Sequence, residues 1–148
     1  MPYDSPMPTD AEPMQAVVVY CSDGRFGDHV RDFLEHRLNI ERFDAIAVAG
    51  GPVRLTEPAT EGEILEDLTF LIEHHGMDRV VLIQHEDCGH YRHRLGLAGD
   101  DATARQIADL FVARDVLRES TRVRQVDLYM LRMKADTIRF EPVRDASG

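Results

Sequence analysis

Cysteine and positive charge are both scarce in this 148-residue chain. It has only two cysteines, and its 17 Lys and Arg residues face 27 Asp and Glu residues, which gives a formal net charge of −10. The arginines are scattered among acidic residues rather than grouped. Phosphate binding requires clustered positive charge, so we expect no nucleic acid among the partners.

Long apolar runs are also missing. No run approaches the roughly 20 residues that cross a bilayer, and residues 1–13 lack the basic and apolar regions of a signal peptide. We therefore expect no membrane partner and a cytoplasmic location. In that reducing environment cysteines serve metals or catalysis more often than disulfides.

Length and composition are those of one globular domain. A chain of 148 residues with 43% hydrophobic and 30% charged residues can bury one sizeable core. Residues 1–13 contain four prolines and few apolar residues, which predicts an extended N-terminal arm. We assign residues 14–148 to a single α/β domain.

Short apolar segments alternate with segments of helical periodicity. Strands are predicted at 16–20, 44–51 and 79–84, and two more follow near the C-terminal end, joined by a turn around 134–136. Helices are predicted at 28–38, at 102–118 and between Thr60 and Gly76. This alternation predicts a mainly parallel sheet with a final antiparallel strand and helices on both faces. We expect the first four strands in the order 2-1-3-4.

The central helix carries both a start and a stop signal. Thr60 and Glu63 have the spacing of a capping box, in which each side chain satisfies a free backbone amide at the start of a helix. Gly76 is a typical C-terminal stop.

Both cysteines follow predicted strands. Cys21 opens "CSDGRFGD" directly after "AVVVY", while His85 and Cys88 lie in "HEDCGHY" directly after "RVVLIQ". Ligand sites of parallel sheets form at the carboxyl ends of strands, so the fold can bring these residues together. Two thiolates and one imidazole suit Zn²⁺, and three protein ligands leave a fourth position for water, as in catalytic zinc sites.

Either fragment alone is a weak signal. Buried thiols beside a hydrogen-bonded histidine are the simpler interpretation of each one, but their pairing at the ends of neighbouring strands favours a metal site. A dithiol redox module that uses Cys21 and Cys88 without metal is a further alternative, although neither cysteine lies in a Cys-x-x-Cys motif.

These paired motifs resemble those of the β-class carbonic anhydrases. That family carries Cys-x-Asp-x-Arg after its first strand and His-x-x-Cys-Gly after its third, which correspond here to "CSDGR" and "HEDCG". "AIAVAGGPV" resembles the second strand and Ala-Gly turn of the family, and "EILEDLTFLIEHHGMDRVVLIQH" resembles its helix and third strand. The resemblance covers roughly residues 16–142.

The resemblance implies a zinc enzyme. Cys21, His85 and Cys88 would bind Zn²⁺, and a zinc-bound hydroxide would convert carbon dioxide reversibly to bicarbonate. Asp23 and Arg25 would form the catalytic dyad of the family, in which the carboxylate accepts a hydrogen bond from the nucleophile and the guanidinium keeps the carboxylate ionised.

The resemblance also implies a substrate pocket and an assembly. Four small residues would line the pocket: Ala49, Gly50, Gly51 and Gly89. A homodimer or homotetramer is implied, with the site near a subunit boundary.

Several positions depart from the family pattern. Gly24 replaces a usual serine, Val48 and Gly51 stand where asparagines are common, Gln84 replaces a glycine, and Glu86 adds an acid between two ligands. These departures support an alternative, a zinc-binding relative that is non-catalytic or acts on another small electrophile such as carbon disulfide.

Three polar residues around the second motif have open roles. His90 and His93 have the titration range of proton shuttles, although solvated loop histidines are commoner. Asp87 is either a partner of a metal ligand or a turn residue.

Overall fold

The computed structural model describes residues 1–7 and 12–145. Residues 1–7 are exposed and contain no helix or strand. Two parts of the predicted domain layout lie outside the described residues, namely 8–11 of the arm and 146–148 of the α/β domain. In the described part of the chain, no helix combines the length and the apolar character needed to cross a bilayer.

A five-stranded sheet with the order β2-β1-β3-β4-β5 forms the centre of the fold. The strands are β1 (Ala16–Cys21), β2 (Phe43–Val48), β3 (Arg79–His85), β4 (Gln125–Met133) and β5 (Ile138–Pro142). The first four strands run parallel, and β5 runs antiparallel to β4. The predicted fold class, strand order and antiparallel final strand are confirmed.

In the described residues, four α-helices and one 3₁₀ turn connect the strands. The helices are α1 (Gly27–His36), α2 (Glu61–His75), α3 (Gly89–Arg94) and α4 (Gly99–Ser120), and the 3₁₀ turn spans Gly51–Leu55. The sequence predicts α1, α2 and α4 but neither α3 nor the 3₁₀ turn, because both are too short to show a helical period.

The helices cover both faces of the sheet, as predicted. Alternate side chains of β1 point to opposite faces, so Val17 and Val19 pack with α2 and α4 whereas Val18 packs with α1. Because β1 and β3 pair in parallel, their carboxyl ends lie side by side at one edge of the sheet.

Two local predictions are wrong, and one is confirmed. Thr60 precedes α2, but its hydroxyl donates to the carbonyl oxygen of Arg54 at 2.7 Å and caps no helix amide, so no capping box forms. The second strand has the edge position that the predicted order implies, but it is not a buried strand, since Ile46 is buried while Ala45 and Ala47 are exposed. Gly76 ends α2 in the left-handed conformation, as predicted.

Candidate metal centre

Three residues with metal-ligating side chains meet at the carboxyl ends of β1 and β3. Cys21 is the last residue of β1, His85 is the last residue of β3, and Cys88 directly precedes α3. Their sulfur and ring-nitrogen ligand atoms all lie within 4.8 Å of one another, and all three residues are buried. The parallel pairing of β1 with β3 therefore brings together residues that are far apart in the sequence, as predicted.

The His85 ring is set in one tautomer by the main chain. Its Nδ1 lies 2.6 Å from the carbonyl oxygen of Glu86, and because a carbonyl can only accept, Nδ1 carries the proton. Nε2 is buried and has no hydrogen-bond partner among residues 1–7 and 12–145. A buried unpaired nitrogen is costly, and a cation held between Nε2 and the two sulfurs would remove this cost. The donor set therefore fits a metal ion.

The two thiols share a proton. The pKa of Cys21 is lowered to about 4, chiefly because the Cys88 thiol donates a hydrogen bond to it, with further help from the backbone amides of Asp23 and Gly50, while burial opposes the shift. The pKa of Cys88 is raised, first because it gives that hydrogen bond and second because it is buried. A divalent cation would hold both groups as thiolates.

Asp23 and Arg25 form a tight pair two residues beyond β1. The Arg25 Nε lies 3.1 Å from each oxygen of the Asp23 carboxylate, and Nη2 lies 2.7 Å from Oδ2. The hydrogen bond from the Arg25 side chain is the largest reason why the pKa of Asp23 is lowered to about 2. Asp23 is therefore an ionised acceptor beside the three ligand residues.

Asp87 is more than a turn residue. It has a left-handed backbone with φ of 58° between His85 and Cys88. Its carboxylate accepts from Arg25 Nη1 at 3.2 Å and forms an ion pair with Arg92, and its carbonyl accepts from Arg25 Nη2 at 3.1 Å. The sequence left both roles of Asp87 open and did not predict its contact with Arg25.

Glu86, the additional acid of the second motif, forms a hydrogen bond with the end of β4. Its Oε1 accepts from the backbone amide of Met133 at 2.6 Å. It does not belong to the cluster of metal-ligating atoms found among the described residues.

The glycine turn after β2 packs against the end of β1. Gly50 and Gly51 both have positive φ, 82° and 55°. A Cβ on Gly51 would lie 2.9 Å from the backbone nitrogen of Cys21. Ala49 is exposed and its carbonyl accepts from Arg54, while Gly89 is the exposed first residue of α3. Two of the four proposed pocket residues thus contact the β1 end directly.

The two histidines of the second motif have different environments. His93 is exposed, but His90 is buried and its Nε2 lies 3.2 Å from Glu57 Oε1. The expectation of a solvated loop histidine is therefore wrong for His90. The Glu57 partner lies 33 residues away in the sequence, and no local pattern indicates it.

A depression of about 240 Å³ opens beside Cys88. Its walls come from the loop 86–88, Arg92, the segment 97–99, Ala102 and Met133. The depression lies on the side of α3 and the start of α4 rather than at the Ala49–Gly51 turn. Sequence reasoning did not predict this contribution of α4.

A buried hydrogen-bond network lies beneath His85. Gln106 on α4 donates to the His85 carbonyl at 2.7 Å, the Tyr91 hydroxyl donates to Asp109 at 2.7 Å, and Gln84 donates to that hydroxyl at 3.1 Å. Burial and the bond to Asp109 raise the pKa of Tyr91. This network attaches α3 and α4 to the end of β3 and so supports the loop 86–88.

The fold and the cluster define an α/β protein with a candidate Cys₂His metal group at the carboxyl edge of a parallel sheet. A family model described as "Putative carbonic anhydrase" matches residues 11–131. The chain belongs to this carbonic anhydrase family, and the resemblance inferred from the two motifs is confirmed. A search of curated protein sequences found no significant match.

Solved structures with the same fold include three carbonic anhydrases. The enzyme from Streptococcus mutans has 18% identity and a TM-score of 0.59, covering 93% of this chain and 88% of that chain. The β-carbonic anhydrase isoform I of Trichomonas vaginalis has 16% identity and a TM-score of 0.60, covering 95% and 88%. The β-carbonic anhydrase of Aspergillus fumigatus has 14% identity and a TM-score of 0.51, covering 92% and 79%. At these identities the similarity establishes the shared fold.

Proposed function

We propose that this protein is a zinc-dependent carbonic anhydrase that interconverts carbon dioxide and bicarbonate. The observation that carries the proposal is the unpaired Nε2 of His85, buried beside the sulfurs of Cys21 and Cys88. Family membership supports the reaction, and the ionised Asp23 two residues from Cys21 supports the catalytic dyad.

The three ligand residues would hold zinc with two thiolates and one neutral imidazole, a donor set that this ion accepts. When bound, zinc lowers the pKa of water to near 7 and so supplies a nucleophile at neutral pH. The three residues are largely buried, with 9% of Cys21, 3% of His85 and 4% of Cys88 exposed.

Asp23 would act as a hydrogen-bond acceptor for the attacking nucleophile. Arg25 occupies both carboxylate oxygens from one side, and its positive charge keeps the carboxylate ionised. An ionised carboxylate can accept a hydrogen bond but cannot donate one. Asp23 would therefore bind only a nucleophile that still carries a proton, and this hydrogen bond would orient the lone pair of the nucleophile.

The substrate pocket and the assembly are further parts of the proposal. We assign Ala49, Gly50, Gly51 and Gly89 to the pocket lining, because Gly50 and Gly51 pack at the β1 end and Gly89 follows Cys88. The family resemblance supports a homodimer or homotetramer, and the cytoplasmic location is still a prediction.

Metal content and stopped-flow carbon dioxide hydration, measured on the same untagged sample, test the function. About one zinc per chain is expected from a single three-ligand site, together with hydration that anions inhibit. Asp23→Ala should keep the zinc and abolish hydration, whereas Asp28→Ala, an exposed residue on α1, should retain both. Absence of zinc after reconstitution would contradict the metal site.

A second candidate keeps the metal and changes the reaction. The turn after β2 carries Val48 and Gly51, so it offers no polar side chain at two positions where the resemblance leads us to expect asparagine. This change supports a zinc protein that is non-catalytic or acts on another small electrophile such as carbon disulfide. Metal-replete protein without hydration between about pH 7 and pH 9, where such a site holds its nucleophile, would favour this candidate.

The dithiol redox module is a third candidate. Both cysteines are free and buried, and their hydrogen bond places them in contact. Stoichiometric zinc in protein purified under reducing conditions would count against a metal-free redox role.

A further inference from the structure

The Arg25 guanidinium connects the two loops that carry the ligand residues. Nε and Nη2 bind the Asp23 carboxylate in the loop after β1, while Nη1 binds Asp87 Oδ2 and Nη2 also reaches the Asp87 carbonyl oxygen in the loop after β3. Each nitrogen of the guanidinium therefore has an acceptor, and one of the two acceptor residues lies between His85 and Cys88.

Asp87 holds Arg25 at two points. Its side chain and its main-chain carbonyl accept from different nitrogens, which fixes both the position and the plane of the guanidinium. Arg92, on α3, forms an ion pair with Asp87 Oδ1, the carboxylate oxygen that does not accept from Arg25, and so restrains the carboxylate. The Arg25 side chain is 47% exposed, and without Asp87 it would be held only by Asp23 and by its contact with the Phe26 ring among the described residues.

The backbone of Asp87 favours this arrangement. Its φ of 58° is left-handed, a conformation that Asp, Asn and Gly adopt more readily than other residues. The conformation turns the carbonyl and the carboxylate of one residue toward the same arginine. Asn and Gly are therefore the substitutions that preserve the turn.

We propose that Asp87 is a positioning residue that acts through Arg25, so that the carboxylate of Asp23 is aligned relative to Cys21, His85 and Cys88. The proposal goes beyond the catalytic dyad because it places a third group, on the other metal loop, in control of its orientation. It rests on the proposed function only where carbon dioxide hydration is the measurement. The mobility of the Arg25 guanidinium can be measured independently of the reaction.

Asp87→Gly and Asp87→Asn test the inference in the zinc-loaded protein. Asp87→Gly removes the carboxylate, and hydration should fall by about 10- to 100-fold, the usual cost of losing a group that orients a metal site. Asp87→Asn restores an oxygen acceptor without the charge, so its rate should lie between those of Asp87→Gly and the unaltered protein. Asp136→Gly in the exposed β4–β5 turn is the matched control and should leave the rate unchanged.

A double-mutant cycle separates positioning from loosening of the loop. If Asp87 acts through Arg25, Asp87→Gly should cost little further activity in an Arg25→Gln background. If glycine merely loosens the metal loop, the two losses should multiply. Multiplicative losses would overturn the inference, and so would equal rates for Asp87→Asn and Asp87→Gly.

Arginine side-chain NMR supplies the readout that does not depend on catalysis. The signals of Arg25 are assigned by their loss in Arg25→Gln, and rotation about its guanidinium bonds should be slow in the unaltered protein and faster in Asp87→Gly. Unchanged rotation would overturn the inference. Faster rotation in a protein that never hydrates carbon dioxide would uphold the role of Asp87 and contradict the proposed function alone.

Discussion

His85 donates its Nδ1 proton to the carbonyl oxygen of Glu86, the next residue in the chain, at 2.6 Å. This hydrogen bond fixes the ring, and Nε2 lies beside two sulfurs without a hydrogen-bond partner among the described residues. Since the backbone already orients the ring, a metal needs no rotation of His85 to gain this ligand. The thiols of Cys21 and Cys88, in contrast, must both lose their protons to bind the same metal.

The first prediction concerns those protons. Because Cys21 and Cys88 share a proton in the metal-free protein, zinc binding at pH 7 should release about one proton, where two independent thiols would release nearly two. Calorimetry in buffers of different ionisation enthalpy gives this number. Release of nearly two protons would show that the thiol pair is not already singly ionised.

The second prediction concerns the charge of Asp23. Asp23→Asn should keep the zinc and lower kcat/KM by about 10²- to 10⁴-fold, the range for losing a group that handles a proton in the reaction. Because the pKa of Asp23 is about 2, this residue stays ionised on acidification to pH 4. Any acid limb of the rate profile above pH 5 must belong to another group. A limb that disappears in Asp23→Asn would contradict this assignment.

The third prediction concerns stability at alkaline pH. The folded protein raises the pKa of Tyr91 by burial and by its bond to Asp109, so the unfolded chain loses this proton first, near pH 10. The stability from Tyr91 is therefore fully present below about pH 10 and is lost as the pH rises further. Denaturant titrations between about pH 8 and pH 11 should show a flatter profile for Tyr91→Phe.

Tyr91→Phe should also be less stable near neutral pH. Removing the hydroxyl leaves the buried Asp109 with one donor fewer, which costs about 1–3 kcal/mol. Tyr129 also has a raised pKa but is present in both proteins, so the difference between the two profiles isolates Tyr91. Parallel profiles would refute the role of the buried network in the pH dependence.

The fourth prediction concerns the glycine turn. Gly51→Ala introduces a Cβ at a φ of 55°, 2.9 Å from the Cys21 nitrogen, and should destabilise the protein by at least about 2 kcal/mol. It should also weaken zinc binding, because the displaced atom belongs to a ligand residue. Gly62→Ala on α2 is the control, since its Cβ would meet nothing within 4 Å and alanine favours helix. Equal stability of the two variants would contradict the tight packing.

The sequence predicts the sheet and the meeting of Cys21, His85 and Cys88 well because both depend on short local patterns. The buried runs before Cys21 and within 79–84 have the length and composition of parallel strands, and the strand ends then bring the three side chains together. The partial exposure of β2 could not be predicted from its apolar residues, because Ala is compatible with either environment. Thr60 and Glu63 are the residue types of a capping box, but the Thr60 hydroxyl instead donates to the carbonyl oxygen of Arg54.

Two side-chain contacts between distant segments were not predicted from the sequence. Asp87 meets Arg25 across 62 residues, and His90 meets Glu57 across 33. Each pair forms because the sheet aligns loops that no local pattern connects. The family resemblance predicts the dyad of Asp23 and Arg25 but gives no reason to add Asp87 to it.

The parallel pairing of β1 with β3 also determines when a metal can be captured during folding. Cys21 ends β1, His85 ends β3 and Cys88 lies three residues beyond His85, so the cluster requires that pairing and the long crossover through β2 and α2. Pairing across such a sequence separation is slow compared with the formation of helices. Tight zinc capture should therefore be a late event, and during synthesis it must await emergence of residue 88 from the ribosome. Bound metal would then slow the unfolding of a chain whose strands have already paired in the native order.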